Sequence, residues 1–448
     1  MAGNVEQLKT LLDEHAGTAS RLKRLDHYYR HGYYDNLDVP ANARQAYRRL
    51  IESAVTNWLG LIVDTTAERL IVDGFRGADS DAVDAELWTW WQANRLDSRQ
   101  MQLNTETSKA GAAYVSVWPA SQTETRTAPY ILPEASTAVL VKYDDDLDPH
   151  RATSAVKTRG NLAWLYTPEA VYRYKRAGDA VGAVDWTLSG ELENPLGEIP
   201  FVRFAVNMDL DGTPASDLDA AIPVQNRITE TTVDRLLASR LSAFRQRYAI
   251  GLELDEDADG NPIAPFDAAV DRLWTTEDPD VKFGEFSEAT LSNYIGAVAA
   301  DVHHLAAVTR TPPHYLLGQM TNLSAEALVA AETGLARKVA ERQQTFGESW
   351  EDVMRLAQRA AGREEDVEVE TVWRRTETVS DAQVVDASLK LVGLGVPQEA
   401  LWERIGATPQ QVAKWRRMAA SDALRTALRR PLVNDGAADV PELEEPPA

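Results

Sequence analysis

The stretch from residue 310 to residue 328 reads RTPPHYLLGQMTNLSAEAL and separates two long segments with helical periodicity. Pro312 and Pro313 each fix φ and remove a backbone donor, so the preceding helix is predicted to end near Thr309. Ser324 is a good N-cap for the following helix. The sequence therefore predicts a short polar connection held between two helix ends.

A pair of helices and an acidic insert precede this connection. One helix is predicted from Ile222 to Tyr248, without glycine, and the second over residues 288–309. Apolar residues of the second helix recur at spacings of four and three, which is typical of helix-on-helix packing; they are Leu291, Ile295, Val298, Val302 and Leu305. Residues 253–288 hold 12 acidic and 2 basic residues and three prolines, which indicates a small acidic insert of net charge −10.

A long amphipathic helix of about 35 residues is predicted after the connection. Its apolar face is marked by Leu328, Leu335, Val339, Phe346, Trp350 and Val353. The pattern then predicts a short strand pair over 367–373 and helices near 381–393, 397–405 and 409–428. The acidic, proline-containing tail 431–448 is expected to be disordered.

The N-terminal half combines both kinds of secondary structure. Residues 5–60 have helical patterns, whereas residues 110–206 are rich in strand-forming stretches. The fold class predicted from these patterns is α+β, mostly helical, and a length of 448 residues indicates several compact units.

The composition excludes several classes of protein. Lys and Arg number 46 against 69 Asp and Glu, a formal charge of −23, which opposes tight wrapping of nucleic acid by phosphate neutralisation. Cysteine is absent, which excludes disulfides, thiolate metal sites and cysteine nucleophiles. Neither a signal-peptide pattern nor a membrane-spanning apolar run is evident, so we expect a soluble intracellular protein without membrane contact.

Two acidic clusters raise the question of a metal site. Asp255, Asp257 and Asp259 match the opening of a calcium loop, but Phe266 occupies the position of its bidentate Glu, so an acidic turn is favoured. The loop from Asp144 to Asp148 also carries Asp145 and Asp146 and could hold Mg²⁺ for an enzyme. A solvated acidic loop is the favoured interpretation there.

Other catalytic patterns are not found in the sequence. His27 and His31 are four residues apart but lack the intervening Glu of a metalloprotease helix, so a packed aromatic surface is favoured. There is neither a phosphate-binding G-x-x-x-x-G-K-[ST] loop nor a G-x-S-x-G elbow. The sequence therefore predicts no enzyme site, no cofactor and no resident metal.

Several blocks of sequence together resemble a known family. They are TPPHYLLG, NLSAEAL and FGESWEDVMRLA around the connection, and HYYRHGYYDN, VDTTAERLIVDGFR, LWTWWQANRLD and KAGAAYVSVW nearer the N-terminus. In order and spacing they are similar to the portal proteins of tailed double-stranded DNA bacteriophages, over roughly residues 20–420.

The resemblance implies a portal fold with named parts. They are an α+β wing at 1–215, stem helices at 216–248 and 288–309, a small α/β clip at 249–287 between them, a tunnel loop at 310–323, a long wing helix at 324–361, a wing return and helical C-terminal crown at 362–430, and an acidic tail at 431–448.

The function implied by the resemblance is that of a ring, expected to be a dodecamer, at one capsid vertex of the virion. The ring would be the channel for DNA packaging and ejection, and double-stranded DNA would pass without sequence specificity. Terminase and a head-tail connector protein would dock on it, and major capsid and scaffolding proteins would surround it after assembly in the host cytoplasm. The alternatives are an acidic virion scaffold or adaptor, and a metal-dependent enzyme that uses the loop from Asp144 to Asp148.

Candidate site residues follow from the same resemblance. The tunnel loop would present Arg310, His314, Tyr315, Gln319, Thr321 and Asn322 to DNA. The clip would contact its partners through Asp255, Asp257, Asp259 and Asp267. The apolar seam from Leu291 to Leu305 would pack stem helices on each other and on neighbouring subunits.

Overall fold

The computed structural model describes residues 2–32, 44–77, 83–121, 126–144, 148, 150–177, 185–243, 247–251, 280–285, 290–318, 325–375 and 381–429. The helices are α1 (Ala2–His31), α2 (Arg44–Ala54), α3 (Trp58–Ala67), α4 (Ala85–Ala93), α5 (Leu96–Ala110), α6 (Ile222–Ala243), α7 (Leu291–Thr309), α8 (Pro313–Leu317), α9 (Ala325–Ala360), α10 (Asp381–Val392), α11 (Gln398–Arg404) and α12 (Pro409–Arg429). The strands are β1 (Val72–Arg76), β2 (Ala112–Trp118), β3 (Tyr130–Ala135), β4 (Val139–Tyr143), β5 (Ala152–Arg159), β6 (Leu162–Tyr166), β7 (Ala170–Ala177), β8 (Asp185–Glu193), β9 (Phe201–Ala205), β10 (Arg247–Ile250), β11 (Lys282–Glu285) and β12 (Glu370–Trp373).

The strands described here pair antiparallel in four separate sheets. β4 to β8 form a five-stranded meander, and β3, β2 and β9 form a three-stranded sheet with β2 in the middle. β10 pairs with β11, and β1 pairs with β12. Helices and antiparallel sheets thus occupy one chain, and the α+β class predicted from the sequence is confirmed.

The five-stranded meander is covered on both faces. Val156 and Leu165 point to one side and pack with Leu8 and Leu11 of α1. On the other side, a second cluster that includes Val139 of β4 packs with Tyr114, Ile199 and Phe201. Because side chains alternate across a strand, neighbouring residues of one strand supply both cores.

The largest core forms where α9 lies across β2 and β9. Phe346 and Trp350 are fully buried, and the ring of Trp350 lies 4.8 Å from Trp91 and 4.9 Å from Phe204. α9 spans 36 residues, so the predicted length is confirmed. Its predicted face is confirmed from Leu335 to Val353, whereas the side chain of Leu328 lies outside the described residues.

The strand predicted near residue 370 pairs with a different strand from the one that the sequence indicated. The sequence pattern placed both strands within 367–373, but β12 pairs with β1, with Val72 opposite Trp373 and Arg76 opposite Glu370. Arg374, directly after β12, donates to the Asp73 carboxylate at 2.7 Å. The prediction of a local pair was wrong because the partner strand comes from the N-terminal third of the chain.

The helices around the acidic insert agree with the sequence except at one end. α7 ends at Thr309, as the prolines predicted, whereas α6 ends at Ala243 and the predicted helical residue Tyr248 lies in β10. Three C-terminal helices are confirmed as α10, α11 and α12. None of the helices in the described part of the chain combines the length and the apolar character needed to cross a bilayer.

Candidate functional site

The end of α7 is closed by a left-handed residue that is not glycine. Arg310 has φ 54° and ψ 32°, and the N–H of Thr311 donates back to the carbonyl of Ala306 at 3.0 Å. The hydroxyl of Thr309 donates to the Leu305 carbonyl at 2.8 Å. Many helices end in this left-handed conformation, usually with glycine at that position. Any other L-residue there costs about 1–2 kcal/mol in conformational free energy.

The connection between α7 and α9 contains a short helix. Pro312 precedes α8, Pro313 is its first residue, and Gly318 ends it with φ 63°. Proline suits the first helical position because its missing N–H has no intrahelical partner there. The sequence predicted only a loop over 310–323, so α8 is an addition to that prediction.

α8 is fastened to α3 by a hydrogen bond and an apolar contact. The indole Nε1–H of Trp58 donates to the carbonyl of Leu316 at 2.9 Å. Leu316 is buried in the same core cluster as Leu59 of α3 and Leu305 of α7. Leu316 thus anchors α8 to the rest of the subunit. The role of Trp58 had no signal in the sequence.

A charged cluster fastens α8 to α9. Arg69 donates to the Tyr315 hydroxyl at 2.8 Å and lies 3.6 Å from the Glu332 carboxylate. Nε2 of His314 lies 3.4 Å from the other oxygen of Glu332. Burial and the hydrogen bond to Glu332 raise the pKa of Tyr315. We call Arg69, His314, Tyr315 and Glu332 the α8 clamp; its Arg69 and Glu332 were missed from the sequence.

The predicted tunnel residues fall into three groups. Arg310 is exposed, and its side chain reaches Glu341 of α9 at 3.2 Å. The His314 side chain is only 7% exposed, and Tyr315 is half-buried, so within the subunit both serve the α8 clamp. Gln319, Thr321 and Asn322 lie outside the described residues.

A buried ionic cluster joins α9 to the segment before α6. The Asp217 carboxylate lies 3.1 Å from Arg342 and 3.4 Å from Lys338, and all three side chains are less than 10% exposed. Asn207 donates to Asp217 at 2.9 Å and accepts from Arg342 at 2.6 Å. Burial acts to raise the pKa of Asp217, but the two cations outweigh it and lower that pKa; burial lowers the pKa of Lys338.

The α7 seam is only partly covered within the subunit. Val302 and Leu305 are buried, Val298 packs against the same cluster, and Leu291 is half-buried. Ile295 is 55% exposed. Arg227 of α6 binds Asp301 of α7 at 2.7 Å, and this contact lowers the pKa of Asp301. The two helices therefore pack on each other, and part of the seam faces outward.

Most of the acidic residues considered for metal binding lie outside the part of the chain that the structure describes. Asp255, Asp257, Asp259 and Asp267 lie outside the described residues, as do Asp145 and Asp146. Across the described parts of the chain, His, Asp and Glu side chains form no group of three suited to a metal ion. The rings of His27 and His31 lie 4.6 Å apart and are tilted by 45°, in keeping with an aromatic surface.

Comparison with known proteins adds to this geometry. A family model described as "Phage portal protein, SPP1 Gp6-like" matches residues 8–423. The chain belongs to this family of phage portal proteins. Curated portal proteins of Mycobacterium phages D29 and L5 are each 32% identical to it. The D29 alignment covers 79% of this chain and 77% of the relative, and the L5 alignment covers 76% and 73%.

Solved structures give a weaker likeness to this portal protein. A chain from the neck of an empty gene transfer agent particle has a TM-score of 0.46 at 14% identity, covering 83% of this chain and 94% of that one. A chain from the native particle's neck, computed with C12 symmetry, has a TM-score of 0.42 at 13% identity, covering 82% and 94%. At these scores the likeness adds no weight to the family assignment.

The resemblance noted in the sequence is thus confirmed, and phage portal function with it. The family is a structural, non-enzymatic one. The boundaries of wing, stem, clip and crown, and the tunnel, clip and stem residues, stay predictions.

Proposed function

We propose that this portal protein is the subunit of a twelve-membered ring at one capsid vertex, and that double-stranded DNA passes along the axis of the ring. The observation that carries the proposal is the outward-facing part of the α7 seam. Ile295 lies on the same helix stripe as the buried Val302, yet it is 55% exposed. An apolar stripe that continues beyond its own core indicates a further protein surface.

A neighbouring copy is the partner that fits this stripe. A ring needs a head-to-tail contact in which two different surfaces of the same chain meet. The α6–α7 pair would supply both: the seam around Ile295 on α7 and the facing side of the next subunit's α6. The ion pair between Arg227 and Asp301 would keep the two helices of each stem in register.

The channel wall would be formed by the residues on either side of α8. With His314 and Tyr315 engaged in the α8 clamp, Arg310 and residues 319–323 are the part of the predicted tunnel loop that remains to face DNA. Gln319, Thr321 and Asn322 would exchange weak hydrogen bonds with phosphates, without reading bases. A chain of charge −23 would repel the phosphate backbone elsewhere and let DNA slide.

The partners follow from the same assignment. The acidic clip, with Asp255, Asp257, Asp259 and Asp267, would dock terminase during packaging and a head-tail connector protein afterwards. Major capsid and scaffolding proteins would hold the ring in the virion after assembly in the host cytoplasm. The packaging motor would be a separate ATPase, because the sequence contains no phosphate-binding loop.

The experiment compares two variants of α7 with the wild type. Ile295→Asp places a charge on the exposed seam, and Ala300→Asp places the same charge on an exposed position of the same helix away from the seam. We expect wild type and Ala300→Asp to form rings in sedimentation and native mass measurements, with an axial hole in negative-stain images, and Ile295→Asp to remain a folded monomer. If Ile295→Asp still forms intact rings, the proposed stem contact is wrong. If the wild type shows no axial hole, the proposed portal ring is wrong.

A further inference from the structure

The predicted crown has an uncovered apolar stripe on α10. Val385, Leu389 and Val392 recur at spacings of four and three and are 47%, 67% and 55% exposed. Leu394, two residues beyond the helix, is 79% exposed. Large aliphatic side chains seldom gather on a solvated face, and a stripe of this kind marks an interaction surface.

The other sides of α10 are either polar or close to α11. Ser388, beside the stripe, is buried and donates to the Val384 carbonyl at 2.7 Å within the helix, and α10 lies against α11. Lys390 and Asp386 pair at 2.7 Å on the polar flank. The described residues of the subunit therefore leave the apolar stripe exposed.

α12 offers a second and different surface. Val412 is buried, and the rings of Trp415 and Trp402 meet edge to face at 5.5 Å. Met418 is 53% exposed, and most of the other side chains described along α12 are exposed as well. A helix of 21 residues with so little cover from its own chain has surface available for a partner.

The two surfaces differ in charge. Over residues 381–404 the acidic residues outnumber the basic ones, with Asp381, Asp386, Glu399 and Glu403 against Lys390 and Arg404. In α12 the balance is reversed, with Lys414, Arg416, Arg417, Arg425 and Arg429 against Asp422. Charge complementarity sets the orientation in which two surfaces meet and disfavours like against like.

We infer that the α10 stripe of one subunit packs against α12 of the neighbouring subunit in the ring. This inference rests on the proposed ring and assigns it a second contact besides the stem. Two unlike, complementary surfaces on one chain are what a head-to-tail ring requires. Leu389 and Val392 would lie against Met418, with the basic residues of α12 beside the acidic flank of α10.

Two other occupants fit the observations less well. The segment 431–448 of the same chain has five acidic residues and no basic ones, so its charge has the wrong sign for the acidic side of α10. Double-stranded DNA would suit the basic residues of α12, but its phosphate surface would leave the aliphatic stripe of α10 uncovered.

The absence of native cysteine makes a direct crosslinking test possible. Chains with Leu389→Cys and chains with Met418→Cys are mixed in equal amounts before assembly and then oxidised. We expect disulfide-linked dimers in the mixture and only monomers from either variant alone. A mixture of Lys9→Cys, at an exposed position of α1, with Met418→Cys controls for random collisions.

The possible outcomes separate this inference from the ring itself. If wild-type rings form but the 389/418 mixture gives no more dimer than the 9/418 mixture, the α10–α12 contact is wrong and the ring stands. If the wild type forms no rings at all, the proposed function is wrong, and the inference that rests on it is wrong too. Dimers that appear only after deletion of residues 431–448 would assign the stripe to the tail and overturn the inference.

A second measurement tests the energy of the contact rather than its geometry. Leu389→Lys places a charge of the same sign as basic α12 in the stripe, whereas Gln398→Lys adds the same charge at an exposed position of α11 outside the stripe. We expect Leu389→Lys rings to dissociate on dilution at a protein concentration at least tenfold higher than wild type. Equal dissociation of Leu389→Lys and Gln398→Lys rings would count against the contact.

Discussion

The indole of Trp58 and the carbonyl of Leu316 are hydrogen bonded at 2.9 Å although 258 positions separate them in the chain. The bond joins α3, in the predicted wing, to α8, which carries the predicted tunnel residues. Together with the α8 clamp, it means that the base of this connection is set by α3 and α9 as well as by α7. The position of the predicted tunnel residues therefore depends on α3 and α9 as well.

Replacing Trp58 with Phe tests this attachment. The aromatic contact is kept, but the Leu316 carbonyl loses its donor, so we expect a loss of about 1–2 kcal/mol in unfolding free energy. Hydrogen exchange of the amides from Tyr315 to Gly318 should quicken. Trp88→Phe is the matched control, because Trp88 is also half-buried and stacks on Trp91 at 5.9 Å. Unchanged exchange in α8 would argue against the anchor.

The buried Asp217 should be among the most sensitive polar positions in the chain. Asp217→Asn leaves Lys338 and Arg342 buried without an anion, at a cost of about 3–5 kcal/mol in a urea unfolding experiment. Asp209→Asn, at an exposed position of the same segment, is expected to change little. A small effect at Asp217 would mean that Asn207 and water can replace its charge.

The same variant has a predicted pH dependence. The pKa of Asp217 is lowered in the folded protein, so the unfolded chain binds the proton more readily. The stabilisation from this carboxylate is therefore present above its ordinary pKa of about 4 and is lost as the pH falls below that value. The stability difference between wild type and Asp217→Asn should shrink between pH 6 and pH 3, roughly the window set by that pKa. A constant difference would contradict the assignment.

Arg310 offers a test of backbone strain that is independent of charge. Arg310→Gly and Arg310→Ala both remove the exposed pair with Glu341, but only glycine adopts the left-handed conformation freely. The glycine variant should unfold at higher temperature than the alanine variant, by a free energy of about 1 kcal/mol. Equal melting temperatures would show that the turn has relaxed to another conformation.

The proposed channel contacts can be tested in assembled particles. With Gln319→Ala and Asn322→Ala combined, the loss of hydrogen bonds worth about 1 kcal/mol each should lower DNA retention severalfold. The stability of the subunit should not change. Gln344→Ala, at an exposed position of α9, is the control. If the double variant packages and retains DNA as the wild type does, these two side chains do not contact DNA in the channel.

Local patterns in the sequence predicted the local features well. The end of α7 at Thr309 follows from Pro312 and Pro313, and the buried face of α9 follows from the periodicity of residues such as Val339 and Trp350. These signals lie within a few turns of the element that they describe. α8 was missed because five residues are too few to show a helical period.

Features that depend on distant residues were not predicted. Trp58, Arg69 and Asp217 show no local pattern that names their partners, because their contacts exist only after the chain has folded. The exposure of Ile295 is a further case: its place in the seam was evident from spacing, but its position beyond the subunit's own core was not. The exposure of the α10 stripe was not predicted for the same reason.

The pairing of β1 with β12 has a consequence for how the protein is made. The residues that it brings together, such as Asp73 and Arg374, are 301 positions apart, and the predicted stem and clip and the long helix α9 all lie between them. At about 5–20 residues per second, a ribosome needs on the order of 15–60 s to supply the missing strand. Until then β1 has no β12 to pair with. This sheet can thus form only after Trp373 has been synthesised, which delays completion of the core that α9 builds with the N-terminal part of the chain.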